Sequence, residues 1–360
     1  MKYALKENEK EARERLRAFW AGESLGRPAL YVTASKHKYD FTFEDKGKSK
    51  KELDFSPEWH IKYNEWQLDN TVYLAEAMPC ADIIWGANIS LPAVLCGSDY
   101  EYDANGQAWV KPMPDIWERE LPKFDKNHHI IKSLENCYYR LAEAIGNKGY
   151  INPPVMLDSL TTLSLLRTPE VLCLDIIERP ETVKKWSSVL TDIYIQAYEH
   201  FYQLLLSLGY GETSSWIGLM AEGRFETVQC DFAVMISTDM FKEFVIPDLC
   251  RVVEYLDYSL YHLDGTSQMR FIDLIAGIPK LNGIQWNPEP GAGSPVSWIE
   301  AFREIRKRNL SLYIYCNKDE AIEITRELGP DGLMFVLPHF DTIAEAEQAI
   351  KEIEKACQML

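Results

Sequence analysis

From about residue 127 onward, short apolar runs recur between stretches of helical period, and this alternation constrains the fold more than any other feature of the chain. PPVMLD, SSWIGL, ETVQC, SLYHLDG, GIQW, LSLYIYC and GLMFVL read as strands. Helical patterns such as TDMFKEFVIPDLCRVVEYL and SWIEAFREIRKR separate several of them. Strands alternating with helices at this spacing imply crossover connections and a parallel sheet. GRPALYVTA (26–34) and the segment from Ile83 to Trp85 bring the strand candidates to nine. An eight-stranded closed barrel needs one fewer, so at least one run is not a barrel strand.

The expected architecture is therefore α/β, a (β/α)8 TIM-type barrel with an N-terminal helical and irregular extension. Residues 1–125 form the extension and excursion loops, residues 126–360 most of the barrel, and 1–360 a single domain. Within the extension, MKYALKENEKEARERLRAFW reads as an amphipathic helix and SKHKYDFTFEDKGKSKKELDFSPEW as a long exposed loop. A second helix is expected from Tyr63 to Ala77, and an irregular stretch from Tyr100 to Phe124. Further helices follow from His128 to Ile145 and from Pro169 to Leu208, the latter interrupted at Pro180.

A chain that is 46% hydrophobic, with 10 Trp and 19 Tyr, supplies a core without staples. Its eight cysteines are scattered with no CxxC pair, so neither a disulfide framework nor a zinc ribbon is indicated. The net charge of -17 opposes nucleic acid and anionic membranes as partners. The charged N-terminal helix is unlike a signal peptide, and no span approaches the roughly 20 apolar residues of a membrane helix, so a cytoplasmic location is expected. GAG at 291–293 lacks the third glycine of a nucleotide cradle, and neither a Gly-x-Ser-x-Gly elbow nor HExxH is present.

In a barrel of this type catalytic groups gather at the carboxyl ends of the strands. The residues there are Asp158, Glu222, Cys230, Asp231, His262, Asp264, Gln285, Trp286, Cys316 and His339. The densest group is Tyr261-His262-Leu263-Asp264-Gly265. An imidazole and a carboxylate two residues apart at a strand end can share an ion where the glycine lets the backbone turn. Cys230, Glu222, Cys316 or His339 would complete a three-ligand site, or His262 is a core histidine bonded to Asp264. Asp158 and Asp231 equally suit helix caps. Trp85, Trp216, Tyr261 and Trp286 would wall a pocket or pack the barrel.

QCDFAVMISTDMFKEFVIPDLCRVVEYLDYSLYHLDG resembles the uroporphyrinogen decarboxylase superfamily in Asp231, then Ser237, Phe241, Phe244 and Pro247 on a helix, then His262 and Gly265. ERLRAFWAGESLGRPALYV and LLRTPEVLCLDIIERPETV are similar to it too, and QCDF, YHLDG and IQW resemble most a bacterial subgroup of these barrels. The resemblance implies the barrel, with homodimers common. It does not imply porphyrinogen decarboxylation: the arginine-rich motif is missing, and Asn88 stands where the catalytic aspartate is expected. The superfamily's other branch comprises zinc methyltransferases that use His-x-Cys plus a distant cysteine. Here Asp264 takes the first cysteine's place, which makes a harder zinc, and His339 stands nearest the second.

The resemblance thus implies methyl transfer between a small methylated compound and a corrinoid protein that carries cobalamin. His262, Asp264 and Cys230 would hold zinc, Asp231 and Glu222 would donate or orient protons, and Asp158, Trp216, Tyr261, Gln285 and Trp286 would bind substrate. A metal-free decarboxylase or other lyase, using Asp231 and His262 as acid and base with Arg167, Arg224 or Arg270 for the carboxylate, is the first alternative. A non-catalytic binding barrel is the second.

Overall fold

The computed structural model describes residues 2–37, 40–83 and 91–359. Its strands are β1 (Ala29–Ser35), β2 (Thr71–Ala75), β3 (Cys80–Ala81), β4 (Tyr100–Tyr102), β5 (Ala108–Val110), β6 (Tyr150–Ile151), β7 (Phe225–Val228), β8 (Tyr258–Asp264), β9 (Gly283–Asn287), β10 (Ser311–Tyr315) and β11 (Leu333–Val336). Seven of them form one sheet in the order β2-β1-β11-β10-β9-β8-β7. All neighbours are parallel except β1 and β2. β3 pairs in parallel with β6, and β4 with β5 as an antiparallel hairpin.

The α/β class and the parallel sheet agree with expectation, but the closed ring of eight strands does not form among the described residues. Two expected strands account for the difference. PPVMLD contains Pro153 and Pro154, which cannot donate to a ladder, so pairing stops at Ile151 and the chain runs on without regular structure to Asp158. SSWIGL turns instead of extending: Gly218 has φ +75° and lies so close to the Tyr31 ring that a Cβ would be 3.2 Å from it. Only an isolated bridge between Thr213 and Ala221 links the ends of that segment.

The extension is more regular than expected. The polar loop holds a helix at Lys50–Leu53, set by a capping box between Ser49 and Glu52, and the next helix starts at Pro57. That helix ends at Asn70, so the segment expected to be helical to Ala77 becomes β2, which covers the free edge of β1. The irregular stretch from Tyr100 contains the β4–β5 hairpin. β3 (Cys80–Ala81) ends before the strand expected at Ile83 to Trp85, and Ile83 has no regular structure; Trp85 and Asn88 lie outside the described residues.

The helices fall close to their expected places at His129–Ile145, Pro169–Glu178 and Pro180–Ser207, each of the last two with a proline in its first turn. The N-terminal helix Glu9–Trp20 buries Ala12, Leu16, Phe19 and Trp20. Trp20 closes the amino end of the sheet, its ring 4.9 Å from both Phe225 and Tyr258 and its indole N–H donating to Met220 O at 3.0 Å. One apolar cluster runs from Tyr3 to Ile353. Among the described residues no helix is long and apolar enough to cross a membrane.

Candidate functional site

Side chains alternate between the two faces of a strand, so strand register determines which residues share a level on the inner face. His262 on β8 is level with Gln285 on β9, and Gln285 with Tyr313 on β10. Two residues further toward the carboxyl ends, Asp264 is level with Asn287. Tyr315 is level with Val336, and Val336 with Tyr31 on β1. These two levels line the mouth of the sheet. Tyr261 and Trp286 have the opposite parity. Tyr261 is buried and donates to Gln268 Oε1 at 2.8 Å, while Trp286 packs on Trp298 and Phe302 under the covering helix. The structure therefore assigns these two to the core and not to the pocket wall.

Asp231, His262 and Asp264 converge at the mouth. Each offers one ligand atom, and the three atoms lie within 4.8 Å of one another, the one such group among the described residues. His262 is 7% exposed, whereas both aspartates are half-buried. Its Nδ1–H donates to Gln285 Oε1, which leaves the lone pair of Nε2 facing the cluster, 3.9 Å from Asp264 Oδ1. That gap is too long for a hydrogen bond and suits two ligands around one ion. Asn287 Nδ2 donates to Asp264 Oδ1 at 2.8 Å, and Trp216 packs edge-on against the imidazole with ring centroids 4.8 Å apart. Gly265, at φ +84°, allows the turn that ends β8.

Cys230 does not join the group. Its backbone is extended (φ -151°, ψ 94°), so its side chain and that of Asp231 project to opposite sides. The thiol is fully buried, and burial, reinforced by the Asp158 and Asp231 carboxyls, pushes it well above the ordinary thiol range. The group that converges at the mouth thus contains Asp231 and not Cys230. Burial and then Asp158 push the Asp231 carboxyl up to about 7. Asp158 Oδ1 accepts from Leu160 and Thr161 N–H as the cap of the helix Ser159–Arg167. Burial pushes this carboxyl up to about 6, against hydrogen bonds from Thr161, the Cys230 thiol and Leu160 N–H.

Glu222 lies at the other end of the molecule, before β7 begins. Burial opposes its ionisation, yet hydrogen bonds from Arg17 and Arg13 hold its carboxyl below the ordinary range. It anchors the N-terminal helix and is not brought to the cluster. His339 is held by the hydroxyls of Thr33 and Ser35, each 2.9 Å away, and Cys316 is buried after β10. The three arginines considered for a substrate carboxylate are engaged elsewhere. Arg167 pairs with Asp175, Arg224 with Glu199, and Arg270 donates to the carbonyls of Ala233 and Ile236.

Several residues at the mouth were not singled out from the sequence. Thr161 Oγ1 accepts the N–H of Asp231 at 3.0 Å, and Asn287 orients Asp264. Tyr31, Tyr313 and Tyr315 share the inner face, and Asp82 is bonded to Asn152 (2.6 Å) beyond β3 and β6. Period-two spacing from Gln285 would have found Asn287, whereas nothing local marks Asp82 or Thr161.

No family model matches the sequence, and no curated protein is similar to it. Among solved structures, a methyltransferase from Methanosarcina mazei superposes with a TM-score of 0.59 at 14% identity, covering 96% of this chain and 98% of that chain. The likeness is one of fold across nearly the whole length.

Proposed function

We propose that this chain is a metal-dependent methyltransferase that moves a methyl group between a small methylated compound and a corrinoid protein. The observation that carries the reading is the convergence of Asp231, His262 and Asp264 at the carboxyl ends of the strands. One imidazole and two carboxylates fit a divalent ion such as zinc, and three protein ligands leave the open position of a catalytic site. The partners behind the ligands fit as well, because Gln285 fixes the imidazole tautomer and Asn287 the Asp264 carboxylate. The fold shared with the Methanosarcina mazei methyltransferase supports the same chemistry.

When bound, the ion supplies Lewis acidity toward the heteroatom that carries or receives the methyl group. The chain's own residues do the rest. Gln285 and Asn287 hold two ligands in place before substrate arrives, and Trp216 keeps water from one side of the imidazole. The half-exposed rim of Trp216 and Tyr315 leaves the mouth open to a docked corrinoid protein.

The test is metal content by plasma mass spectrometry of wild type, His262→Ala and Asp264→Asn. We expect about one zinc per wild-type chain, lost in both variants. Cob(I)alamin-coupled assays with methylated compounds would follow. A protein that takes up no metal after zinc reconstitution overturns the reading and returns attention to acid-base chemistry at Asp231 and His262.

A further inference from the structure

Gln285 and Asn287 hold two members of the cluster, and the third needs support of its own. His262 and Asp264 both stand on β8, which is paired to β9 as far as Asp264. β7 ends at Val228, so Asp231 lies beyond its ladder and opens a short 3-10 helix, Asp231–Met235. The first N–H groups of a helix find no partner within it. The residue in the capping position here is Cys230, whose side chain makes no cap bond. A working site holds its groups to within about 0.5 Å, which an unsupported turn does not do.

The support comes from another helix. Thr161 is 5% exposed and lies in the first turn of Ser159–Arg167, which Asp158 caps through the N–H groups of Leu160 and Thr161. Its Oγ1 accepts the N–H of Asp231 at 3.0 Å and that of Phe232 at 3.3 Å, supplying from 70 residues away the cap that Cys230 does not. The Asp158 carboxyl in turn takes hydrogen bonds from the Thr161 and Cys230 side chains. Cys230, Asp231 and Phe232 are thus all pinned to one helical turn. At the far end of the 3-10 helix, Arg270 donates to the carbonyls of Ala233 at 3.1 Å and Ile236 at 3.0 Å. With the backbone held by its N–H groups at one end and its carbonyls at the other, only the side-chain torsions of Asp231 remain to place its carboxylate.

We propose that Thr161 is a positioning residue of the cluster: its hydroxyl oxygen holds the backbone that carries the Asp231 carboxylate to His262 and Asp264. The inference rests on the metal-site reading for what Asp231 does there, and on the hydrogen bonds alone for how Asp231 is held.

Thr161→Val keeps the shape of the side chain and removes the acceptor, whereas Thr161→Ser keeps the acceptor. Thr325→Val is the control for loss of a buried hydroxyl, since Thr325 is 1% exposed and donates to Ala321 O at 2.7 Å within the helix Lys318–Leu328. Zinc affinity would be measured by competition with a chromophoric chelator, beside urea unfolding. We expect Thr161→Val to weaken zinc about tenfold or more, Thr161→Ser to stay within about threefold of wild type, and Thr325→Val to match wild type although its urea midpoint falls too. Amide hydrogen exchange at Asp231 and Phe232 should be about tenfold faster or more in Thr161→Val and close to wild type in Thr161→Ser. Equal zinc affinity in Thr161→Val and wild type overturns the inference. So does a serine variant as weak as the valine one, which would assign the effect to methyl packing and not to the oxygen. If wild type takes up no zinc, the metal reading falls and exchange at the two amides decides the positioning role alone: protection that survives Thr161→Val overturns it, and loss that serine restores supports it.

Discussion

Two neighbouring residues on one strand can have opposite fates, and the mouth of this molecule shows it twice. Cys230 and Asp231 divide between core and cluster, as do Tyr261 and His262, because successive side chains on an extended backbone face opposite ways. Glu226 on β7 is a further case, a fully buried carboxyl outside the cluster. Burial pushes it from an ordinary 4.5 up to about 8, against hydrogen bonds from Thr227 N–H and Ser215. The folded chain therefore keeps a proton that the unfolded chain releases. Its contribution to stability is full below pH 4.5 and falls as pH rises toward 8, by up to about 1.4 kcal/mol per pH unit. Glu226→Gln should remove this component, so urea midpoints of wild type and variant would diverge between pH 5 and 8. Parallel midpoints across that range would contradict the assignment.

At the scale of elements, the N-terminal helix is tied to the amino end of the sheet and has no part in the cluster. Arg13 reaches Glu9 at 2.8 Å, Glu212 at 2.7 Å and Glu222 at 3.0 Å, and lies 5.4 Å from the Tyr3 ring centroid. With the Arg13 side chain only 12% exposed, Arg13→Met leaves Glu9 and Glu212 without their cation and should cost about 3 kcal/mol. Glu222 is a third exposed, so Glu222→Gln should cost under about 1 kcal/mol. Thermal and denaturant unfolding would measure both, and neither change should alter zinc content. Loss of metal in Glu222→Gln would put that carboxylate back in the site. The sequence led to a catalytic role for Glu222 because SSWIGL looked like a strand that ended beside it. The turn at Gly218 removes that strand and places Glu222 just before β7, at its amino end.

For the whole molecule, a ligand that binds only the folded state raises its stability by mass action. Zinc at a hundred times its Kd adds about 2.7 kcal/mol, which for a chain of this length corresponds to a rise in Tm of about 3–4 °C. Calorimetric scans should show that rise in wild type and in Glu222→Gln and lose it in His262→Ala. An equal rise in all three would locate the metal elsewhere. The Asp82–Asn152 pair and the Asp231, His262 and Asp264 group lie on different strand groups, β3 with β6 and β8 with its neighbour β7. Their relation depends on how the two sheets face one another, which no local stretch of sequence specifies.

The parallel α/β class, the helices of the second half, the turn at Gly265 and the pairing of His262 with Asp264 could all be read from the sequence. Each depends on local periodicity or on residues two or three apart, where backbone geometry alone brings side chains together. Whether the sheet closes, which of Cys230 and Asp231 faces the mouth, and that Glu222 and Asp231 stand at opposite ends were decided only by tertiary structure. So was the meeting of Asp82 with Asn152, 70 residues later in the chain. Those outcomes depend on strand register and on prolines and glycines that end pairing, and register is set by contacts between segments far apart in the sequence.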